Sequence, residues 1–183
     1  MDNQKERTPE INDADTIERL LEAADRNFEL FELKEAADKY EKALRMLSLK
    51  RENGEQTART LSALGDCEYV KRELRAALRY YLKVFSLTDG YANPYALLRA
   101  GQVYYDMELP QKAKPYLIRA YLIEGNSLFE GEDPKYFELI KNEEMLREPV
   151  NSFMQAIKPI QDRQAEDALF AEDEKEETED GDL

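Results

Sequence analysis

Histidine and tryptophan are absent from this chain, and cysteine occurs once, at Cys67. Without histidine the commonest general base and the commonest metal ligand are missing. No serine–histidine or cysteine–histidine pair can be assembled, and a single cysteine without histidine leaves no structural zinc site. One cysteine also forms no intramolecular disulfide, which fits a reducing compartment. Cys67 itself reads as a small buried hydrophobe inside a helix. No apolar stretch is long enough to span a bilayer, and Met1 to Asp15 lacks the apolar core of a signal peptide. Strand signals are missing too, because nowhere do apolar and polar residues alternate between turn residues. These absences lead to an all-α, cytoplasmic, non-catalytic protein with no cofactor and no metal.

Negative charge is in surplus. The 183 residues carry 40 acids and 26 bases, a net charge of −14, and about half of that imbalance sits in residues 171–183. Such a field repels nucleic acid and anionic membrane surfaces, so neither is expected as a partner. The tail reads as disordered, with solubility, a basic partner or nucleic-acid mimicry as its alternative roles.

What the chain does have is a spacing that occurs three times. Ala24, Gly65 and Gly101 are each followed twelve residues later by an alanine: Ala36, Ala77 and Ala113. Seven residues further stand Ala43, Val84 and Ala120, and between them Tyr40, Tyr81 and Leu117. Small residues at fixed offsets let two helices approach closely, and a bulky one fills the next gap. The repeated unit is therefore a helix pair that stacks on its neighbours.

The helices are expected as follows. Asp15 and Glu18 form a capping box that opens the first helix, with Ile17, Leu20, Leu21, Ala24, Phe28 and Phe31 at helical spacing. Leu33-Lys34 is a tight connection to the partner helix. Residues 48–57 form a loop or a frayed extension. The second pair spans 57–71 and 73–87. The third spans 94–107 and 110–124, with Pro115 marking either a later start or a kink. Asp133-Pro134 begins a capping helix that reaches about Arg147, and residues 150–170 supply one more.

These offsets resemble the tetratricopeptide repeat, a 34-residue helix–turn–helix unit. The best match is Leu97, Ala100-Gly101, Tyr104, Ala113, Leu117 and Ala120. Leu61, Leu64-Gly65, Ala77, Tyr81 and Val84 follow, then Leu20, Ala23-Ala24, Ala36, Tyr40 and Ala43. Leucine stands where that family often has tryptophan, Phe28 and Tyr69 sit one place later than its tyrosine, and its closing proline is missing. The resemblance implies a right-handed α-solenoid over residues 16–127. A disordered lead-in (1–15), capping helices (128–170) and the acidic disordered tail (171–183) flank it.

The resemblance also implies a concave groove lined by the first helices. It places Glu18, Leu21, Asp25 and Phe28 there, with Arg59, Ser62, Asp66 and Tyr69, then Tyr95, Leu98, Gln102 and Tyr105. The candidate partner-binding residues are Leu21, Phe28, Arg59, Tyr69, Tyr95, Leu98, Gln102 and Tyr105, which either line the groove or pack against the chain's own helices. Tyrosine suits such a surface, since it offers a flat apolar face and a hydroxyl at low entropic cost. Leu21, Asp25 and Ala63 occupy positions where some family members clamp a carboxylate with lysine and asparagine, so that ligand class is rejected. Asp25 and Asp66 favour a partner with basic residues, while Arg59 and Arg99 could meet a partner's carboxylate. Arg72, Arg75, Arg79 and Lys83 form a basic stripe on the second pair's outer helix, read as a docking strip or a plain solvated face.

The function expected is a protein-interaction module, an adaptor or dedicated chaperone that holds a peptide or small protein in the groove. Short, acidic, three-repeat proteins look like bacterial secretion chaperones. The alternatives are an immunity-type inhibitor that covers a basic toxin, and a self-associating scaffold in which residues 150–170 fill another copy's groove.

Overall fold

In the computed structural model, residues 13–48, 54–87, 92–143 and 146 are described, without the side chains of 13–15. Seven α-helices and one short 3-10 helix make up their regular structure, with no strand among the described residues. The helices are α1 (Asp13–Glu29), α2 (Leu33–Ser48), α3 (Gly54–Val70), α4 (Leu74–Val84), α5 (Pro94–Asp106), α6 (Pro110–Glu124) and α7 (Pro134–Glu138). The 3-10 helix is Asn126–Phe129. Each of α1 to α5 packs on the next helix in the chain, most extensively within α1–α2, α3–α4 and α5–α6.

Close approach within these pairs rests on the small residues. A Cβ added to Gly65 would stand 2.6 Å from the Tyr81 ring, and one added to Gly101 would stand 2.6 Å from Leu117. Both are overlaps, so α3 meets α4, and α5 meets α6, closer than an alanine permits. Ala24, Ala36, Ala43, Ala77, Ala113 and Ala120 are all fully buried. The apolar core runs on from pair to pair. Ile17, Leu21, Ala24, Tyr40 and Leu47 cluster with Leu64 and Cys67, while Ala58, Leu61, Val84 and Ala96 form a bridge. Beyond it, Leu78, Tyr81, Leu97, Tyr104 and Leu117 join Phe129, Tyr136 and Ile140.

The turn inside each pair is built the same way. Phe31, Arg72 and Glu108 have φ of 60°, 65° and 63°, in the left-handed region. At each, the residue's own N–H bonds the carbonyl three back, and the next N–H reaches five back: Glu32 to Asn27, Glu73 to Glu68, Leu109 to Tyr104. This closes the last carbonyls of the first helix. The three positions stand 41 and 36 residues apart, the same intervals as Ala24, Gly65 and Gly101. None of the three is glycine, so each carries local strain.

Several boundaries differ from the expectations. α1 runs N-terminal of Thr16, so Asp15 lies inside the helix rather than capping it; residues 13–15 contain neither glycine nor proline to stop it. α3 starts at Gly54, so residues 54–57 are its first turn rather than loop. Asn93 caps α5, its side chain accepting the Ala96 N–H. α6 begins at Pro110 and continues through Pro115. Proline there removes the bond to the Gln111 carbonyl, but both residues are exposed, so water can take that bond's place. α7 ends at Glu138, short of Arg147, because three-residue turns at Ile140 and Glu143 tighten the chain and keep Ile140 buried. Residues 150–170 and the tail 171–183 lie outside the described residues.

Two stability outcomes follow from this packing. Gly65→Ala and Gly101→Ala, which raise helix propensity, are each expected to cost about 1–3 kcal/mol in denaturant unfolding through overpacking; a gain in stability would contradict the close contact. Glu108→Gly is expected to raise stability by about 0.5–1 kcal/mol by relieving the left-handed strain, and an unchanged or lower midpoint would contradict that.

Candidate functional site

The first helices carry the polar groups of one face, and aspartates organise them. On α1, Asp25 accepts the Tyr40 hydroxyl of α2 at 2.6 Å and the Arg59 guanidinium of α3 at 2.6 Å. On α3, Asp66 accepts the Tyr81 hydroxyl of α4 and the Tyr95 hydroxyl of α5, both at 2.7 Å, with Arg99 Nε at 3.4 Å. Each aspartate thus ties its own partner helix to the first helix of the next pair. The tyrosines 15 residues after each aspartate are buried against the small residues described above, so close packing aims their hydroxyls. In the third pair the same two places hold Gln102 and Leu117, and the pattern changes. Gln102 is fully buried, accepts from Arg99 at 2.9 Å and donates to Glu132 at 2.8 Å.

Between the first two pairs, and reaching the start of α5, this face opens into a cavity of about 540 Å³. Phe28, Tyr40 and Tyr95 form its aromatic walls. Among the described residues, Asp25, Glu29, Glu55 and Asp66 contribute carboxylates and Arg59 contributes a cation. Arg59 is 65% exposed at its side chain, and an exposed pair such as Arg59–Asp25 contributes at most about 1 kcal/mol. Asp66 is different. Burial pushes its carboxyl above the usual range, while Arg99 and the two tyrosine hydroxyls pull it back toward the charged form. Burial, together with the Asp25 and Asp66 contacts, raises Tyr40 and Tyr81 far above an ordinary phenol, so both remain hydroxyl donors.

A second polar cluster closes the C-terminal side. Asp106, at the end of α5, accepts the hydroxyls of Tyr69 (2.6 Å) and Tyr136 (3.1 Å), with Lys135 at 3.2 Å and Arg72 at 3.4 Å. Burial alone would raise its carboxyl, but the Tyr69 hydrogen bond and the Lys135 bond and charge outweigh it, and the net shift is downward. The Tyr105 ring meets Tyr136 edge-on at 5.5 Å.

The sequence-derived groove set therefore divides. Phe28, Arg59 and Tyr95 line the cavity, with Asp25, Ser62 and Asp66 beside them. Leu21 (5% exposed) and Leu98 (1%) are corrected to core residues, since they sit on the buried faces of α1 and α5. Gln102 is corrected likewise: its amide is spent on Arg99 and Glu132. Tyr69 and Tyr105 are drawn into the Asp106–Tyr136 cluster instead of facing the cavity. Arg72 is corrected out of the basic stripe, because the left-handed turn places it before α4 and it reaches Asp106. Arg75, Arg79 and Lys83 remain on the exposed side of α4. Glu29, Glu55 and Glu132 were not singled out from the sequence. Cys67 is fully buried and its thiol is pushed up to about 12, chiefly by burial, so it stays protonated.

The Asp106 shift sets a pH dependence. A lowered folded-state value gives stability above the unfolded carboxyl range, near 3.8, that is lost as the pH falls through the folded value. Asp106→Asn is expected to cost about 1–3 kcal/mol at pH 7. In thermal unfolding its gap to the native chain should narrow below pH 4; a gap independent of pH would contradict the assignment.

Among the described residues no three His, Cys, Asp or Glu are placed to hold a metal ion, and no helix is long and apolar enough to cross a membrane. A scan against protein-family models finds no match, and a search of curated proteins finds no similar chain.

Proposed function

We propose that this protein is a non-catalytic interaction module, an adaptor or dedicated chaperone, that holds a peptide or small protein against the face carried by α1, α3 and α5. The reading takes the three helix pairs as tetratricopeptide-like units in an α-solenoid, with that face as the concave one. Its chief support is the cavity between the first two pairs, which combines aromatic walls with exposed carboxylates at its rim. Pockets of this size and lining suit an anchoring side chain and its flanking backbone. The hydroxyls and carboxylates deeper in are already held by the Tyr40–Asp25, Tyr81–Asp66 and Tyr95–Asp66 bonds and by Arg99 at Asp66, so these walls are ordered before any partner arrives. Preorganisation of this kind lowers the entropy lost on binding.

The test is affinity capture with the tagged native chain, a Phe28→Ser/Glu55→Lys variant and an Arg79→Glu variant, with circular dichroism showing that all three fold. A partner held by the native chain and by Arg79→Glu, but lost by the cavity variant, is the expected result. A partner lost only by Arg79→Glu would move the binding surface to α4. Recovery of the chain alone, at twice its monomer mass, would favour the self-associating scaffold.

A further inference from the structure

We propose that the cavity between the first two helix pairs receives a lysine or arginine side chain of the partner, and that Arg59 occupies its place in the free protein. The proposal rests on the interaction-module reading and specifies the chemistry of its ligand. Among the described residues, four carboxylates line the cavity, Asp25, Glu29, Glu55 and Asp66, with three aromatic rings, Phe28, Tyr40 and Tyr95, in its walls. A cation on a long aliphatic stem satisfies both features, because the stem lies along rings while the charge meets carboxylates.

Asp66 and Asp25 differ in what they can offer. Asp66 is saturated by Tyr81, Tyr95 and Arg99 and sets the cavity's negative floor. Asp25 spends one oxygen on the Tyr40 hydroxyl and the other on Arg59. The Arg59 guanidinium reaches Asp25 across the space between α1 and α3 while its own side chain stays largely exposed. Glu29 and Glu55 stand exposed at the rim, at the end of α1 and the start of α3. An incoming cation would displace Arg59 from Asp25 and meet the two rim glutamates.

The sign of one substitution separates this from the opposite chemistry. If Arg59 were the receptor for a partner's carboxylate, its removal would abolish binding. As a placeholder for a guest cation, its removal frees Asp25 and deletes a like charge, so binding tightens.

The experiment is fluorescence anisotropy with the full chain and three labelled peptides on one Gly-Ser scaffold, whose central pair is Arg-Leu, Glu-Leu or Ser-Leu. The Arg-Leu peptide is expected to bind saturably and more weakly as salt rises. Its affinity should rise roughly 3- to 10-fold in Arg59→Ala and fall by at least as much in Glu29→Lys/Glu55→Lys. All three positions are exposed, so these variants keep the fold. Preferential binding of the Glu-Leu peptide, lost in Arg59→Ala, would overturn the proposal and leave the interaction-module reading standing. Equal binding of all three peptides, or an affinity unmoved by Arg59→Ala, would overturn it in the same way. Absence of binding by every peptide, to the native chain and to Arg59→Ala alike, would count against both.

Discussion

Close contact between paired helices at Gly65 and Gly101 governs where the polar groups carried by α1, α3 and α5 lie. With only hydrogen at Gly65, the Tyr81 ring sinks against α3 and its hydroxyl arrives at Asp66, one residue along. The same aspartate takes the Tyr95 hydroxyl of the next helix, so a packing contact within one pair becomes a polar tether to the following pair. A buried carboxylate is costly unless its hydrogen bonds are supplied, and here both oxygens are occupied. The tether is therefore specific: Tyr81 and Tyr95 must stand at these heights along their helices for Asp66 to be satisfied. The cavity inherits its shape from that arrangement, since Tyr95 and Asp66 form part of its wall.

The two ends of the described chain use this device differently. At the N-terminal end the Asp25–Tyr40 pair is only partly covered, and its third partner, Arg59, reaches over from solvent. Toward the C-terminal end the polar groups are enclosed. Arg99, Gln102 and Glu132 bond one another, and Asp106 collects Tyr69, Tyr136 and Lys135. Glu132, Lys135 and Tyr136 all belong to the segment around α7, so this segment both covers the apolar cluster through Phe129, Tyr136 and Ile140 and partners Arg99, Gln102 and Asp106 of α5. Among the described residues, the region between the first two pairs holds the open cavity.

Much of the helical framework was legible in the sequence because its determinants are local. Small residues at a fixed interval and Asp133-Pro134 at the start of α7 each act within a turn or two of chain. The site was legible in part. Periodicity distinguishes a helix's faces but not how far a given face is covered, so Leu21 and Leu98 read as groove residues although neighbouring helices bury them. Tyr69 and Tyr105 were misplaced for another reason: their partner, Tyr136, lies in a segment with no repeating pattern to announce it. One signal was present and unused. Aspartate and tyrosine stand 15 residues apart in both Asp25–Tyr40 and Asp66–Tyr81, and both give way together to Gln102 and Leu117.

The central claim is that a partner docks between the first two helix pairs. Hydrogen–deuterium exchange of the full chain, alone and with its captured partner, tests it most directly. The account predicts slowed exchange concentrated at 25–32, 54–66 and 92–99, with α4 unchanged. Protection confined to α4, or to the segment around α7, would contradict it.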